Sequence, residues 1–394
     1  MRLPVRLTIC LFSLVLACAA WLPCVHLFFV PDLDDYRGPA EGRANVIELA
    51  ERHLDLWAVE NSRAAEIDAM RESNPEWDFM GRTFLVMSLA NMAISEPDRQ
   101  AEYLAVMDHV IDDTLRVESE RGMYYFLLDY ARNGPFLVDP KRSLFVDGEI
   151  AMMLASRQTV QVADRYKPLL ADRINTVVAQ MQAGPVNCAE SYPDECWIFC
   201  NTVAVAAVRM SDAIDGRDHS TFVRDWLVMA KDRLVDPKTG LLVSSFTVDG
   251  RHLDGPEGSS IWMAVHCLRF VDDDFARDQY ARAKTELGVT ILGFGFAREW
   301  PHSWEGVMDV DSGPVIPFLD ASPGSSGLAL VGAGAFDDEP YLRELLTTVH
   351  FAAFPVREDG QMRFAASNQV GDAVMLYACV QGPLLERITE GNTR

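Results

Sequence analysis

The residues with the clearest chemical potential are three cysteines that lie close together. Cys188, Cys196 and Cys200 fall within thirteen residues, in a segment that also contains acids and aromatic side chains. Cys200 precedes an apolar run, Thr202 to Met210, with the composition of a buried helix. A thiol at the start of such a helix could act as a nucleophile or carry a proton if its pKa is lowered toward neutrality. In an oxidising compartment, two of the three could instead form a disulfide.

Two carboxylates next to apolar residues form a second group of candidates. Glu149 enters a short apolar helix, where desolvation would raise its pKa and permit a general acid at neutral pH. An acid that complements the helix dipole is the structural alternative for this residue. Asp78 lies between Trp77 and Phe79, just before a predicted helix, and is either catalytic or a helix N-cap.

A third group of candidates lies in one long loop between Trp300 and Pro317. The loop contains a second tryptophan and three acids: Trp304, Glu305, Asp309 and Asp311. Carboxylates beside aromatic rings could grip a sugar or act as acid and base on it. They could equally be turn-forming residues of a long loop.

Signatures of several other reaction classes are missing. The sequence has no phosphate loop, no complete dinucleotide fingerprint and no G-x-S-x-G motif. No histidine pair stands near Cys196 and Cys200, and His26, His53 and His252 are isolated, so neither a metal nor a cofactor is expected. The net charge of −23 argues against a nucleic-acid partner and against anionic lipid head groups.

The elements that must position these residues are helices. Apolar residues recur at helical spacing in about twelve segments, which alternate between short segments rich in small apolar residues and longer charged ones. Inner helices buried on all sides and outer helices with one wet face would produce this contrast. Six such pairs predict an all-α (α/α)6 barrel over residues 31–394. Long loops before the short helices, some with hairpin turns such as Glu358-Asp359-Gly360, would form a functional rim.

The first 30 residues have the composition of a membrane segment. Arg2 and Arg6 precede 24 uncharged residues, Leu7 to Val30, and Asp32 follows. As a helix this stretch would span roughly 36 Å, enough to cross a bilayer. The charge pattern predicts an anchor with the following domain on the extracytoplasmic side. A signal peptide is the alternative, with a weak cleavage signature at Ala17-Cys18-Ala19, and would leave a secreted or periplasmic protein.

One region of the chain, best over residues 143–283, is similar to a known family. The residues that carry the similarity are Gly184, the run Cys200-Asn201-Thr202-Val203-Ala204, Trp226, Asp232, Leu234, Asp236-Pro237 and Gly240. They resemble the linalool dehydratase-isomerase family. The resemblance implies an (α/α)6 barrel outside the cytoplasm, a cofactor-independent hydro-lyase and isomerase acting on a terpene-like or other small apolar alcohol, and a homo-oligomer.

The same resemblance implies roles for individual residues. Cys200 matches the second active-site cysteine and Cys188 the first, although Cys196 competes for that role. Glu149 stands in place of the active-site histidine and would protonate the alcohol, and Asp78 is the nearest match to a catalytic aspartate. The residues expected to bind the substrate are Trp77, Tyr124, Cys196, Trp197, Phe199 and Trp304.

Two other functions remain open at this point. The first is a carbohydrate-active barrel, a glycosidase or an epimerase, that uses Glu149, Glu305 and Asp311. The second is a non-enzymatic binding module on a membrane anchor, whose cysteines lock a loop through a disulfide.

Overall fold

The computed structural model describes residues 3–58, 60–308 and 313–391 of the chain. In chain order its α-helices are α1 (Leu3–Trp21), α2 (Asp34–Arg37), α3 (Ala44–Ala58), α4 (Glu60–Ser73), α5 (Pro75–Ser95), α6 (Gln100–Arg121), α7 (Leu144–Val160), α8 (Lys167–Ala183), α9 (Ile198–Asp215), α10 (Ser220–Arg233), α11 (Gly258–Leu268), α12 (Asp273–Glu286), α13 (Pro323–Ala335), α14 (Glu339–Ala352), α15 (Gln369–Val380) and α16 (Pro383–Gly391). Its strands are β1 (Cys196–Trp197), β2 (Ser245–Phe246), β3 (Gly288–Ile291), β4 (Phe294–Ala297), β5 (Pro355–Glu358) and β6 (Gln361–Phe364).

Six helices form a closed inner ring. Each contacts the next in the order α5, α7, α9, α11, α13 and α15, and α15 packs back against α5. An outer helix lies against each inner one: α6, α8, α10, α12 and α14 follow their partners in the chain, and α3 covers α15. This architecture confirms the predicted (α/α)6 barrel.

The contrast between inner and outer helices follows from their composition. Every residue of α7 except Thr159 is buried, whereas α12 and α14 bury one face each. A helix without a polar face must be covered on all sides, so the apolar helices occupy the inner ring. Small residues allow close contacts there, and a Cβ added at Gly148 of α7 would touch Ala204 of α9 at 3.4 Å.

The connections before the inner helices carry the strands. β3 pairs with β4 and β5 with β6 as antiparallel hairpins, while β1 and β2 pair across two different loops. Both residues of each hairpin turn, Leu292-Gly293 and Asp359-Gly360, have positive φ. Such turns match the twist of the flanking strands, which explains the asparagine- or aspartate-glycine signal seen at the second hairpin.

The end of the ring at which the six inner helices finish is closed by α16. This helix packs against α5, α7 and α9, and the Leu384 amide donates to the Asn91 side chain at 2.9 Å. The sequence predicts one helix from Gly371 to Ile388, but the chain breaks at Gly382 and Pro383. Gly382 has φ 133, and proline at the first helical position starts a new helix readily.

The N-terminal residues form an apolar helix that the domain does not bury. Pro4–Phe28 is long and apolar enough to cross a membrane, with a mean hydropathy of 2.2. Its most apolar stretch is not buried by the rest of the described protein. A membrane anchor and a signal sequence both fit this finding. The next residues join the fold: Tyr36 is fully buried and its hydroxyl lies 2.7 Å from His350, and Arg37 pairs with Asp337 at 2.7 Å.

Candidate functional site

A cavity of about 760 Å³ opens where the six inner helices begin. Each inner helix contributes its first turn or its N-cap to the wall, so all six N-termini point toward the cavity. The residues that line the cavity include Glu76, Trp77, Tyr130, Phe145, Tyr192, Glu195, Trp197, Phe199, Cys200, Glu257, Ser259, Gly327 and Asn368. Converging helix N-termini present backbone N–H groups and a positive potential, which favour acidic and polar groups at this end of the ring.

One wall combines aromatic rings with carboxylates. The Tyr130 and Tyr192 rings stack at 4.3 Å between centroids, with 16° between their planes. The Tyr192 hydroxyl donates to Glu76, and the Tyr130 hydroxyl donates to Glu195 at 3.4 Å. The indole N–H of Trp197 also donates to Glu195. The wall therefore presents flat apolar faces held in place by two acids.

A third carboxylate, Glu257, lies at the N-cap of α11 and is almost fully buried in the cavity wall. Glu76 belongs to the first turn of α5. Since α5 and α11 are separated by two helices on either side of the ring, Glu76 and Glu257 enter from opposite sides.

A buried acid, Glu299, holds the cavity wall near Glu257 through hydrogen bonds to residues of α11 and of the N-cap of α13. Its carboxylate accepts from the Ser259 hydroxyl at 2.6 Å and from the Ser259 amide at 3.0 Å, and the Ser322 hydroxyl also donates to it. This carboxylate ties the start of α11 to the start of α13.

Buried polar side chains hold the loop before α9. Asn201 accepts from the Ala189 amide at 3.1 Å and donates to the Ala189 and Trp197 carbonyls at 3.2 and 2.8 Å. Glu190 accepts from three backbone amides, those of Leu137, Val138 and Asp194. These bonds satisfy loop backbone that would otherwise be buried unpaired. Asn201 is thus a structural residue at this position.

Glu149 lies one turn along α7 from Phe145, close to Cys200, below the cavity wall. Its side chain is buried, and burial raises the pKa of Glu149 to about 7. The desolvation expected from the sequence is therefore present, although the side chain does not line the cavity itself.

Glu149→Gln should make the free energy of unfolding less dependent on pH. The unfolded carboxyl group has a pKa of about 4.3, so between about pH 4 and pH 7 only the folded chain keeps the proton. Stability therefore falls as pH rises through this window and levels off above it, by about 3 kcal/mol in total. Glutamine cannot ionise, so the variant should gain about 3 kcal/mol over the parent between about pH 4 and pH 8 in urea unfolding. An unchanged difference between the two proteins at both pH values would contradict the burial of a titrating carboxyl.

The three cysteines lie together but are free thiols. Burial raises the pKa of Cys188 to about 12, and it also raises the pKa values of Cys196 and Cys200. Proton transfer by a thiolate needs the opposite shift, so the raised pKa values argue against the predicted proton-transfer role of Cys200 and Cys188, which stays a prediction. Cys200 alone of the three lines the cavity, and the expected disulfide alternative is not formed either.

The other predicted residues divide between the cavity and other places. Trp77, Trp197 and Phe199 line the cavity. Asp78 does not: it is buried against Arg82, with 3.4 Å between the charged atoms, and Asn74 is the N-cap of the helix instead. The capping role of Asp78 is therefore wrong, whereas its predicted catalytic role stays a prediction that the buried ion pair with Arg82 does not favour.

Two predicted aromatic residues lie outside the cavity. Tyr124 lines a separate polar hollow, where the Arg132 guanidinium lies 4.5 Å from its ring. Trp304 stacks on Trp300 at 5.7 Å, and its indole N–H donates to the Val307 carbonyl at 3.0 Å. Neither ring faces the cavity in which a substrate would bind.

Of the three acids in the loop after Trp300, the structure describes only Glu305. Glu305 is 86% exposed and pairs with Lys238 at 2.9 Å, outside the cavity. Asp309 and Asp311 lie outside the described residues. Among the described residues, no group of three or more histidines, cysteines or acids is arranged to hold a metal.

The acids that do line the cavity, Glu76, Glu195 and Glu257, are not among the predicted catalytic residues. The sequence does contain a signal for Glu76, because this acid lies directly before Trp77 and two residues after Asn74, the N-cap of an inner helix. Glu257, in Gly255-Pro256-Glu257-Gly258, occupies the position just before a short inner helix that Ser143 and Trp197 occupy before α7 and α9.

No family model matches the sequence. Among the solved structures that match, the unsaturated glucuronyl hydrolase of Bacillus sp. GL1 is 11% identical, covers 76% of this chain and 85% of its own, and has a TM-score of 0.47. A GH76 α-mannanase of Bacteroides thetaiotaomicron is 12% identical, with 79% and 87% covered and a TM-score of 0.48. A family 105 glycoside hydrolase of C. acetobutylicum is 12% identical, with 82% and 98% covered and a TM-score of 0.46. Likenesses this distant say nothing about the reaction of this chain.

The expected membership of the linalool dehydratase-isomerase family is wrong. No family model matches the sequence, and the three solved structures reported above are carbohydrate hydrolases. The main features behind the resemblance also have structural explanations, because Asn201 braces a loop and the cysteines are protonated packing residues. With the family, the predicted hydro-lyase and isomerase activity on a small apolar alcohol is withdrawn.

Proposed function

We propose that this chain is a carbohydrate-active hydrolase that cleaves a glycosidic bond in the cavity between the inner helices. The observation that carries the proposal is a cavity with carboxylates on opposite sides, Glu76 and Glu257, and aromatic faces between them. Glycoside hydrolysis needs two carboxyl groups that flank the scissile bond, one as acid and one as base or nucleophile.

The aromatic wall suits a sugar better than a wholly apolar ligand. Trp77, Trp197 and the stacked Tyr130–Tyr192 pair offer flat faces that can cover the C–H face of a sugar ring. Serine, asparagine and carboxylate groups around them can bond the hydroxyl groups of the sugar. A purely apolar substrate would leave these polar groups unpaired when it displaced water.

Each cavity acid has a distinct role in this proposal. Glu76 and Glu257 act as the acid and base pair, because they project from opposite sides of the ring. Glu195 positions the Trp197 indole and the Tyr130 hydroxyl, which fixes the aromatic platform. Glu149, with a pKa of about 7 from burial, keeps the region below the cavity largely uncharged on the acidic side of neutrality.

The proposal is tested by incubating the full chain with aryl glycosides and oligosaccharides of neutral hexoses and of uronic acids. Release of reducing sugar by the parent protein is expected for at least one class. Binding without turnover on any of them would favour the binding-module alternative. A protein that neither binds nor cleaves any of these sugars would contradict the proposal.

Gly327 offers a way to fill the cavity without disturbing the fold. It lies in α13, lines the cavity, and a Cβ at this position meets no other atom within 4 Å. We expect Gly327→Trp to abolish turnover and sugar binding by occupying the cavity. Gly327→Ala should keep both and add about 0.5–1 kcal/mol of stability, since alanine is the better helix former. Calorimetric titration with the substrate found above checks both variants, and full activity in Gly327→Trp would move the site elsewhere.

A further inference from the structure

The apolar N-terminal segment meets the domain beside the mouth of the cavity. The Phe29 ring lies 5.0 Å from that of Phe351, in the last turn of α14. Three residues later, the Phe354 carbonyl accepts from the Ala365 amide at 3.0 Å, and the Ala353 carbonyl accepts from the Ala366 amide at 3.0 Å. Ala366 lines the cavity. The segment that follows the apolar helix is therefore linked to the cavity wall through the end of α14 and the residues just after it.

Exposed apolar side chains are concentrated around the same mouth. Beyond residue 30, twelve of the large apolar side chains that the structure describes as exposed lie in connections that precede an inner helix or in the last turn of α14, and three lie elsewhere. The twelve are Tyr130, Leu137, Leu253, Ile291, Leu292, Val307, Met308, Ile316, Phe318, Leu319, Phe351 and Phe354. The three are Val162, Leu169 and Val228.

Two exposed phenylalanines of this group lie close to the cavity itself. Phe318 is fully exposed and stands four residues after Pro314, which lines the cavity. Phe354 is 57% exposed beside Ala366. A soluble surface rarely presents so many large apolar groups on one side, and such surfaces mark contact with a protein or a membrane.

The adjoining N-terminal helix, which is long and apolar enough to cross a bilayer, favours the membrane over a protein partner. Phenylalanine and aliphatic side chains at the level where a span leaves the bilayer insert into the interface between head groups and acyl chains. The net charge of −23 disfavours an anionic surface, so the contact rests on apolar insertion into a neutral bilayer.

We infer that the mouth of the cavity lies against the bilayer and that the sugar it takes is the head group of a membrane lipid. The first half of this inference stands on the contacts and exposure described above. The second half rests on the proposed function, because it assigns the substrate of that same cavity.

Membrane contact is tested with the full chain in phosphatidylcholine vesicles, using an environment-sensitive fluorophore on one introduced cysteine. The three cysteines of the N-terminal segment are replaced by alanine, and the other five are buried. The label at Phe318→Cys should be quenched by lipids that carry a spin label near the head group and protected from aqueous iodide. The matched control is Val228→Cys, 64% exposed on an outer helix, which should behave in the opposite way. Equal access of iodide to both labels would overturn the inference.

The substrate class is tested by comparing a glycolipid in the same vesicles with a soluble glycoside of the same head group. The parent protein should hydrolyse the glycolipid with a kcat/KM at least about tenfold higher, and the double variant Phe318→Glu, Phe354→Glu should lose that preference while keeping turnover of the soluble glycoside. Equal rates on both substrates, with a label exposed to water, overturn the membrane inference and leave the hydrolase proposal intact. A quenched label without hydrolysis of any sugar supports the membrane contact and overturns the hydrolase.

Discussion

Glu257→Gln is expected to lower kcat/KM for the glycan substrate by about 10²- to 10⁴-fold, the range that a general acid or base contributes. The change removes the titrating group and keeps the size of the side chain, so the cavity wall should retain its shape. The Glu257 amide bonds the Ser244 hydroxyl at 2.6 Å, and its carbonyl accepts from the amides of α11, so the backbone at this position is held independently of the carboxylate. Initial rates across a range of pH values check the expectation.

Glu76→Gln should have an effect of similar size but a different pH profile. One variant should lose the limb of the pH–rate curve that reports the acid, and the other the limb that reports the base. Glu305→Gln is the matched control. Like Glu257, Glu305 lies in a connection that precedes an inner helix, but its side chain is exposed and outside the cavity. A Glu257→Gln protein that keeps the parent rate, with unchanged circular dichroism, would exclude Glu257 from catalysis.

Asp147→Ala is expected to reduce the free energy of unfolding by about 3–5 kcal/mol, the usual loss when one partner of a buried ion pair is removed. Asp147 is fully buried in α7 and accepts from Arg142 at 2.7 Å, and also from Arg173 and Gln180. Both arginines also bond Glu118 of α6, each at 2.6 Å. Without Asp147, two guanidinium groups would share one remaining acid inside the protein. Urea unfolding of the full chain in detergent measures the loss.

The surface pair Arg224–Asp225 provides the comparison for that variant. Both side chains are more than half exposed, and 3.2 Å separates their charged atoms. Asp225→Ala should change stability by less than about 1 kcal/mol, because exposed ion pairs contribute little. Equal losses in the two variants would show that the network around Asp147 does not stabilise the fold more than a surface contact does.

Helix periodicity predicts the ring but not every element of it. Short apolar segments alternate with long charged ones because the inner helices are buried on all sides and the outer helices are not. Composition therefore predicts inner helices such as α9 and α11. The helix α4 gives a weak signal in the sequence, because Ile67 and Met70 are its two large apolar residues and polar, charged or alanine positions surround them. The break between α15 and α16 depends on Gly382 and Pro383, which the apolar pattern on either side outweighed.

The cavity was harder to predict than the ring for a physical reason. Its acids come from α5, from the loop before α9 and from the N-cap of α11, so they are far apart in sequence and meet only when the ring closes. A local cluster such as Cys188 to Cys200 draws attention because spacing is visible in the sequence, whereas burial is not. The same burial that raises the pKa of Glu149 also keeps the cysteines protonated.

The closure of one end of the ring by α16 has a consequence for the order of events in the proposed reaction. With that end blocked by a helix against α5, α7 and α9, substrate and product share one passage. A released sugar must leave before the next substrate can enter, so substrate binding and product release alternate and accumulated product competes directly with substrate. A glycosidic bond can reach the acids only close to a free sugar terminus, as in the head group of a lipid. The proposed enzyme should therefore release small sugars from the first turnovers and should leave the internal bonds of a long glycan intact.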